Sequence, residues 1–124
     1  MRPFALLSLI LSLVLTIPAL AHGPEQGPKG GKLADSGAYH LELLVQGKQA
    51  SVYLYDSQNK PVKLNAAAGS LLILVGGKQE TLALTPKEEA LNGTMNLELG
   101  RGLKAVVTIN LPGEKPLQAR LALD

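Results

Sequence analysis

The sequence predicts an all-β domain, a β-sandwich of about seven or eight strands, and three observations predict it. Short apolar runs, alternating or continuous, are punctuated by turn residues at the spacing of a sandwich. Two pairs of runs are joined by tight two-residue links, Gly47-Lys48 and Gly76-Gly77, of the kind that closes a hairpin. The last run repeats with period 2: Leu117, Ala119, Leu121 and Leu123 on one face, Gln118 and Arg120 on the other.

Taken in order, residues 22–31 hold two prolines and four glycines, a composition that forms a loop or extended arm rather than a regular element. Residues 39–46 and 49–55 read as the clearest hairpin. The break Asp56-Ser57-Gln58-Asn59-Lys60-Pro61 follows, then a short strand over 62–64. Residues 70–75 are continuously apolar and turn at Gly76-Gly77 into a strand over 78–84. Residues 85–90 suit either a loop or one helical turn, with Thr85 as cap and Pro86 at the first helical position. Strands over 94–99, 103–111 and 117–123 complete the set, separated by Gly100-Arg101-Gly102 and by the turn over 112–116.

The apolar segment that opens the chain reads as a secretory signal. Arg2 supplies the positive start, residues 4–17 the apolar stretch, and Ala19-x-Ala21 the small-residue cleavage site. The alternative, a retained membrane anchor, needs about 20 apolar residues, and the stretch ends in the cleavage site instead. Cleavage after Ala21 defines a signal peptide over 1–21, an arm with a first short strand over 22–38, and a sandwich domain over 39–124. The expected location is the periplasm or the exterior. The chain has no cysteine, which excludes a thioester-linked lipid anchor and a disulfide framework.

The 103 residues left of 124 suit one domain with one core. They carry 11 Lys and Arg against 10 Asp and Glu, scattered along the chain, and their only aromatic residues are Tyr39, Tyr53 and Tyr55. Nucleic-acid binding requires clustered cations and stacking platforms, so the composition argues against it.

Cleavage after Ala21 makes His22 the first residue, and a terminal histidine offers an α-amine and an imidazole that close one chelate ring. The second histidine, His40, lies on the strand over 39–46, where Leu41, Leu43 and Val45 share one face and His40 and Glu42 the other. With the apolar set turned to the core, His40 and Glu42 project to solvent about 6.5 to 7 Å apart. Both then reach one divalent ion, or Glu42 orients the ring from behind. The competing reading is a plain surface histidine on a polar face. A folded-back Gly/Pro arm would bring His22 to His40 and assemble three nitrogens in a T, a histidine brace, a donor set that favours Cu(II).

The run Gly27-Pro28-Lys29-Gly30-Gly31-Lys32-Leu33, then Gly37-Ala38-Tyr39-His40-Leu41-Glu42-Leu43, then Val52-Tyr53-Leu54-Tyr55-Asp56 with Lys60-Pro61-Val62, resembles small periplasmic proteins and domains found with heavy-metal efflux systems. The resemblance implies an immunoglobulin-like or copper-resistance-like β-sandwich and a metal-related role, with Tyr39, His40 and Glu42 at the matching positions. Members of that group often carry His or Asn inside the G-P-x-G-G arm. Lys29 stands there in this chain, leaving His22 as its only arm histidine.

Met95, on one strand face with Leu97 and Leu99, reads as core rather than as a thioether ligand for copper. Asp35, in the turn Asp35-Ser36-Gly37, is either an oxygen ligand or simple turn chemistry. An enzyme is not expected. A brace oxygenase acting on polysaccharide needs a broad aromatic surface, and no Gly-x-Ser-x-Gly elbow, phosphate loop or dinucleotide fingerprint is present. The expected function is a periplasmic accessory or buffering protein that binds copper through His22, His40 and Glu42 and is linked to efflux, with an envelope metal-efflux adaptor as a candidate partner. The alternative is a non-metal interaction module docking to an envelope protein, since sandwich folds host many functions.

Overall fold

The computed structural model describes residues 26–97 and 102–123. The signal segment, its cleavage site and His22 lie outside the described residues. Eight antiparallel strands form the fold: β1 (Lys32–Ser36), β2 (Tyr39–Gln46), β3 (Gln49–Tyr55), β4 (Ala68–Val75), β5 (Lys78–Lys87), β6 (Ala90–Thr94), β7 (Leu103–Asn110) and β8 (Leu117–Leu123). They make one sheet in the order β1-β2-β3-β6-β5-β4-β7-β8. The all-β expectation therefore holds, and the facing layers are halves of one sheet curled nearly into a barrel. Lys32 Nζ donates to Ala122 O at 2.9 Å and Gln118 N to Ser36 Oγ at 3.2 Å, so β1 and β8 are tied where the sheet would otherwise have free edges.

Period 2 decides which side chains fill the interior. Leu41, Val52, Leu71, Leu91, Val107 and Ile109 are fully buried, each separated from the next inward residue by one that faces out. Gly76-Gly77 turns β4 into β5 with both residues at positive φ, where a side chain would be strained. On β8, Ala119 and Leu121 are buried and Gln118 and Arg120 exposed, as the period requires.

Residues 56–67 carry the chain from β3 past two neighbours to β4. Asp56 Oδ1 accepts from Gln58 N at 2.8 Å and Lys60 N at 3.0 Å, folding the break into a side-chain-closed turn. Beyond it, Val62 N donates to Leu54 O at 2.8 Å and Pro61 makes an isolated bridge to Tyr55. The strand expected over 62–64 does not form; Leu64 and Ala67 leave the sheet and pack into the core.

The helical turn considered for residues 85–90 is also absent. β5 continues through Thr85 and Pro86, pairing Thr85 with Asn92, Pro86 with Leu91 and Lys87 with Ala90. Glu88 and Glu89 form the turn, Glu88 at φ 58. Local capping signals lose here to tertiary pairing, because only a hairpin delivers Leu82, Leu84 and Leu91 to the interior together. The strand expected over 94–99 is not found there: β6 runs Ala90–Thr94, residues 95–97 belong to no strand, and 98–99 lie outside the described residues. Met95 is buried in the core, its N–H held by Lys48 O at 2.7 Å. The Glu80 carboxylate accepts from Asn96 N and Leu97 N at 2.8 Å each, drawing the chain out of the ladder.

Candidate functional site

The outer face of the β1-β2-β3 ribbon collects the residues that the sequence marks for chemistry. Register places Asp35 opposite His40, His40 opposite Tyr55 and Glu42 opposite Tyr53. Because partners across a ladder share a face, Asp35, His40, Glu42, Tyr53 and Tyr55 all stand outside the core.

Glu42 nevertheless is fully buried, the one charged side chain buried among the described residues. The expectation that it projects to solvent is corrected by residues 26–31, which fold over it. Gly27 N donates to Gly31 O and Gly30 N to Gly27 O, both at 2.9 Å, closing the arm into a compact turn. The concave side of that turn presents backbone N–H groups to the carboxylate: Lys29 N at 3.0 Å and Gly31 N at 2.8 Å, both to Oε2. From the other side Tyr55 Oη donates to Oε1 at 2.7 Å.

A buried carboxylate costs several kcal/mol to desolvate, and three donors at these distances offset it. Burial and the hydrogen bond to Glu42 together raise the Tyr55 phenol above its ordinary pKa, since ionisation would put a second negative charge against the first. Gly27 and Gly31 are required by contact. A Cβ on Gly27 would overlap the Glu42 carboxyl group, and one on Gly31 would lie 2.5 Å from Leu43 O. The Gly-Pro-x-Gly-Gly spacing thus lets two N–H groups approach one carboxylate.

His40 sits beyond this clasp, its side chain 37% exposed. Nδ1 lies 2.5 Å from Asp35 Oδ1, and among the described residues Nε2 has no hydrogen-bond partner. Asp35 belongs to β1 rather than to the turn, which is Gly37-Ala38. Tyr39 donates to the Glu114 carboxylate at 3.1 Å, and that bond, with burial second, raises its phenol pKa. Lys29 extends over the Tyr53 ring, its Nζ 5.5 Å from the centroid.

The three groups named from the sequence therefore part company. His40 is accessible, Glu42 is enclosed with both oxygens engaged, and His22 lies outside the described residues. Among the described residues no three His, Asp or Glu side chains converge on a point where they could hold a metal ion. Sequence reasoning missed the Tyr55 to Glu42 bond and the arm that covers it. The cue was present: an unpaired acidic residue at an alternate position of a strand, preceded by a segment rich in glycine.

Comparison with known proteins finds no matching family model, curated protein or solved structure.

Proposed function

We propose that this chain is an exported, non-enzymatic metal-binding protein that takes Cu(II) through the α-amine and imidazole of His22 and through His40, and serves as an accessory or buffer in metal efflux or homeostasis. The observation that supports it most is the clasp. Glu42 fixes the arm against β2, so the segment that leads to His22 starts from a defined place near His40. Gln26 bridges Lys32, three residues along β1 from Asp35, the ladder partner of His40. Three strand residues cover about 10 Å along β1, and the ladder steps from Gln26 to Lys32 and from Asp35 to His40 add about 5 Å each across it, a span of about 14 Å that the four residues from Gln26 back to His22 match when extended. The lead is long enough to bring a terminal histidine to Nε2 of His40.

In this reading Glu42 contributes without touching the ion: its oxygens serve the arm, and copper is held by nitrogen, the donor type at which the Irving–Williams order peaks for Cu(II). The test is a Cu(II) titration of correctly processed protein beside a form with one extra residue before His22 and beside His40→Ala. The reading expects tight binding in the first and large losses in the other two; equal affinity in all three would refute it.

A second reading, an interaction module for an envelope protein, draws support from the grooves on the same side of the barrel. One of about 450 Å³ is lined by Lys29, Tyr53, Glu88, Glu89 and Asn92, and one of about 390 Å³ by Pro61, Val62 and Leu64. Glu88 and Glu89 border both. That reading expects no tight copper binding by any of the three forms.

A further inference from the structure

We infer that the furrow between the arm, the crossover over residues 56–67 and the β5-β6 turn is a docking groove for an extended segment of a partner protein that carries an acidic, a basic and an apolar side chain in that order. The inference deepens the interaction-module reading above by naming the partner's chemistry, and it makes no use of copper.

The furrow is built on fixed backbone. Its floor is the outer face of β3 and β6, where Ser51 Oγ donates to Asn92 Oδ1 at 2.7 Å and Asn92 Nδ2 donates to Lys87 O at 3.2 Å, so the amide is oriented and tied to the turn beside it. The arm borders it on one side, its Lys29 N–H held by the Glu42 carboxylate, and the hairpin that pairs Lys87 with Ala90 borders it on another. Three hollows meet there. A polar one of about 450 Å³ lies by Lys29, Ser51, Lys87 and Asn92, one of about 200 Å³ by Pro28, Tyr53, Asn59 and Pro61, and an apolar one of about 390 Å³ by Pro61, Val62 and Leu64. Glu89 borders all three, which makes them one surface. The two larger hollows fall within the range of about 300 to 1,000 Å³ over which ligands are held.

Charge decides the guest. Lys29 and Lys87 stand at the polar hollow, Glu88 and Glu89 where the polar and apolar hollows meet, and Lys63 beside the apolar one. All five side chains are exposed, and the one ion pair among the described residues is Asp35 with His40, so none of the five is neutralised by another. A guest of a single sign is met by its own sign: a nucleic-acid strand or acidic lipid surface meets Glu88 and Glu89, and a polycation meets the lysines. A segment with both signs fits, its carboxylate at Lys29 and Lys87, its ammonium or guanidinium at Glu88 and Glu89, and its next apolar side chain over Pro61 and Val62. The second N–H of the Asn92 amide is left to a main-chain carbonyl of the guest. Water screens exposed ion pairs, so the charge pattern selects the guest and its register more than it supplies affinity.

The probes are capped pentapeptides with serine spacers. One carries glutamate, arginine and leucine in that order and is made in both chain directions; the others replace its arginine by glutamate, its glutamate by arginine, or its leucine by serine. Each is titrated into nitrogen-labelled processed protein, and amide shifts report where and how tightly it binds. The mixed-charge peptide, in one of its directions, is expected to shift Tyr53, Val62, Glu89 and Asn92 with about millimolar affinity, and the three altered peptides to bind about threefold more weakly or worse. Glu89→Gln should weaken the mixed-charge peptide about two- to fivefold and strengthen the all-acidic one, while Lys87→Gln weakens the mixed-charge peptide and strengthens the all-basic one. Both side chains are exposed, so the Tm should not move. Salt at about 0.5 M should erase the preference among charge patterns. Equal affinity for the mixed, acidic and basic peptides, shifts confined to other faces, or no shift at about 5 mM peptide overturns the inference. The interaction-module reading fails separately, through tight Cu(II) binding by the processed protein that is lost in His40→Ala, so the two failures are distinguishable.

Discussion

The clasp over Glu42 predicts a strong and specific energetic coupling between a glycine and a glutamate fifteen positions apart. Glu42→Ala removes the acceptor for Lys29 N, Gly31 N and Tyr55 Oη, leaving three donors beneath a closed turn. Hydrogen bonds to a charged group contribute about 1.5 to 3 kcal/mol each, part of which returns when the arm lifts and its N–H groups reach water. A net loss of about 3 to 4 kcal/mol is expected, a fall in Tm of about 15 to 25 °C for a domain of this size. Gly27→Ala acts on the same contact from the other side, because its new Cβ occupies the space of the carboxylate. Gly27 is not among the glycines at positive φ, so the substitution brings overlap without backbone strain. Alone it should cost about 2 to 3 kcal/mol, the loss of roughly one charged hydrogen bond. In the Glu42→Ala background the obstruction is gone, and the same change should be neutral or gain about 0.5 kcal/mol from a stiffer unfolded chain. Urea unfolding of the four proteins yields the coupling, expected at about 2 kcal/mol or more, near the upper part of the range for residues in contact. Amide exchange at Lys29 and Gly31 should accelerate in both single variants while the core strands stay protected. Additive losses, or slow exchange at those two amides in Glu42→Ala, would refute the clasp.

Three further outcomes follow from the same geometry. The N–H groups of Leu97 and Asn96 lower the Glu80 pKa, so its contribution is present above the ordinary carboxylate value near 4.3 and is lost as pH falls through the lowered one; Glu80→Gln should flatten the acid limb of a stability profile measured between pH 6 and 3. Raised phenol pKa values at Tyr55 and Tyr39 contribute stability that is complete below about pH 10 and lost above it. Tyr55→Phe should weaken that alkaline loss in unfolding curves and remove a late-titrating tyrosinate from the ultraviolet absorbance. At neutral pH the same variant should cost about 1.5 to 3 kcal/mol, by removing one of the three donors to a buried carboxylate, as checked by thermal unfolding.

Where each side chain met one environment on each face of a strand, the sequence was sufficient. Residues 39–46, 49–55 and 117–123 emerge as strands with those bounds, and Leu41, Leu43, Val52 and Leu54 point inward as their alternation requires. The failures share a cause. At Thr85 and Pro86 the local helix-start signal is real, but pairing with Asn92 and Leu91 outweighs a single turn. At 62–64 the apolar residues are core-bound without belonging to a ladder. At Glu42 the period identifies the outward face correctly, yet outward does not mean wet when a preceding segment closes over it. Alternation reports direction; only the packed chain reports what lies in that direction. Asp35 reads as a turn residue in the sequence but lies in β1, and its bond to His40 depends on a register that one strand read alone does not carry.

The clasp grips the arm by its main chain, and that leaves the side chain at position 29 free of the grip. Lys29 gives only its amide to Glu42, while its ammonium rests over a tyrosine ring at the surface. Position 29 is therefore a socket: a different head can be fitted there while the fastening beneath stays shut. A histidine placed in it would add an imidazole to the outer face without disturbing either glycine, so the chemistry this face presents can change by a single codon while the architecture beneath it is conserved.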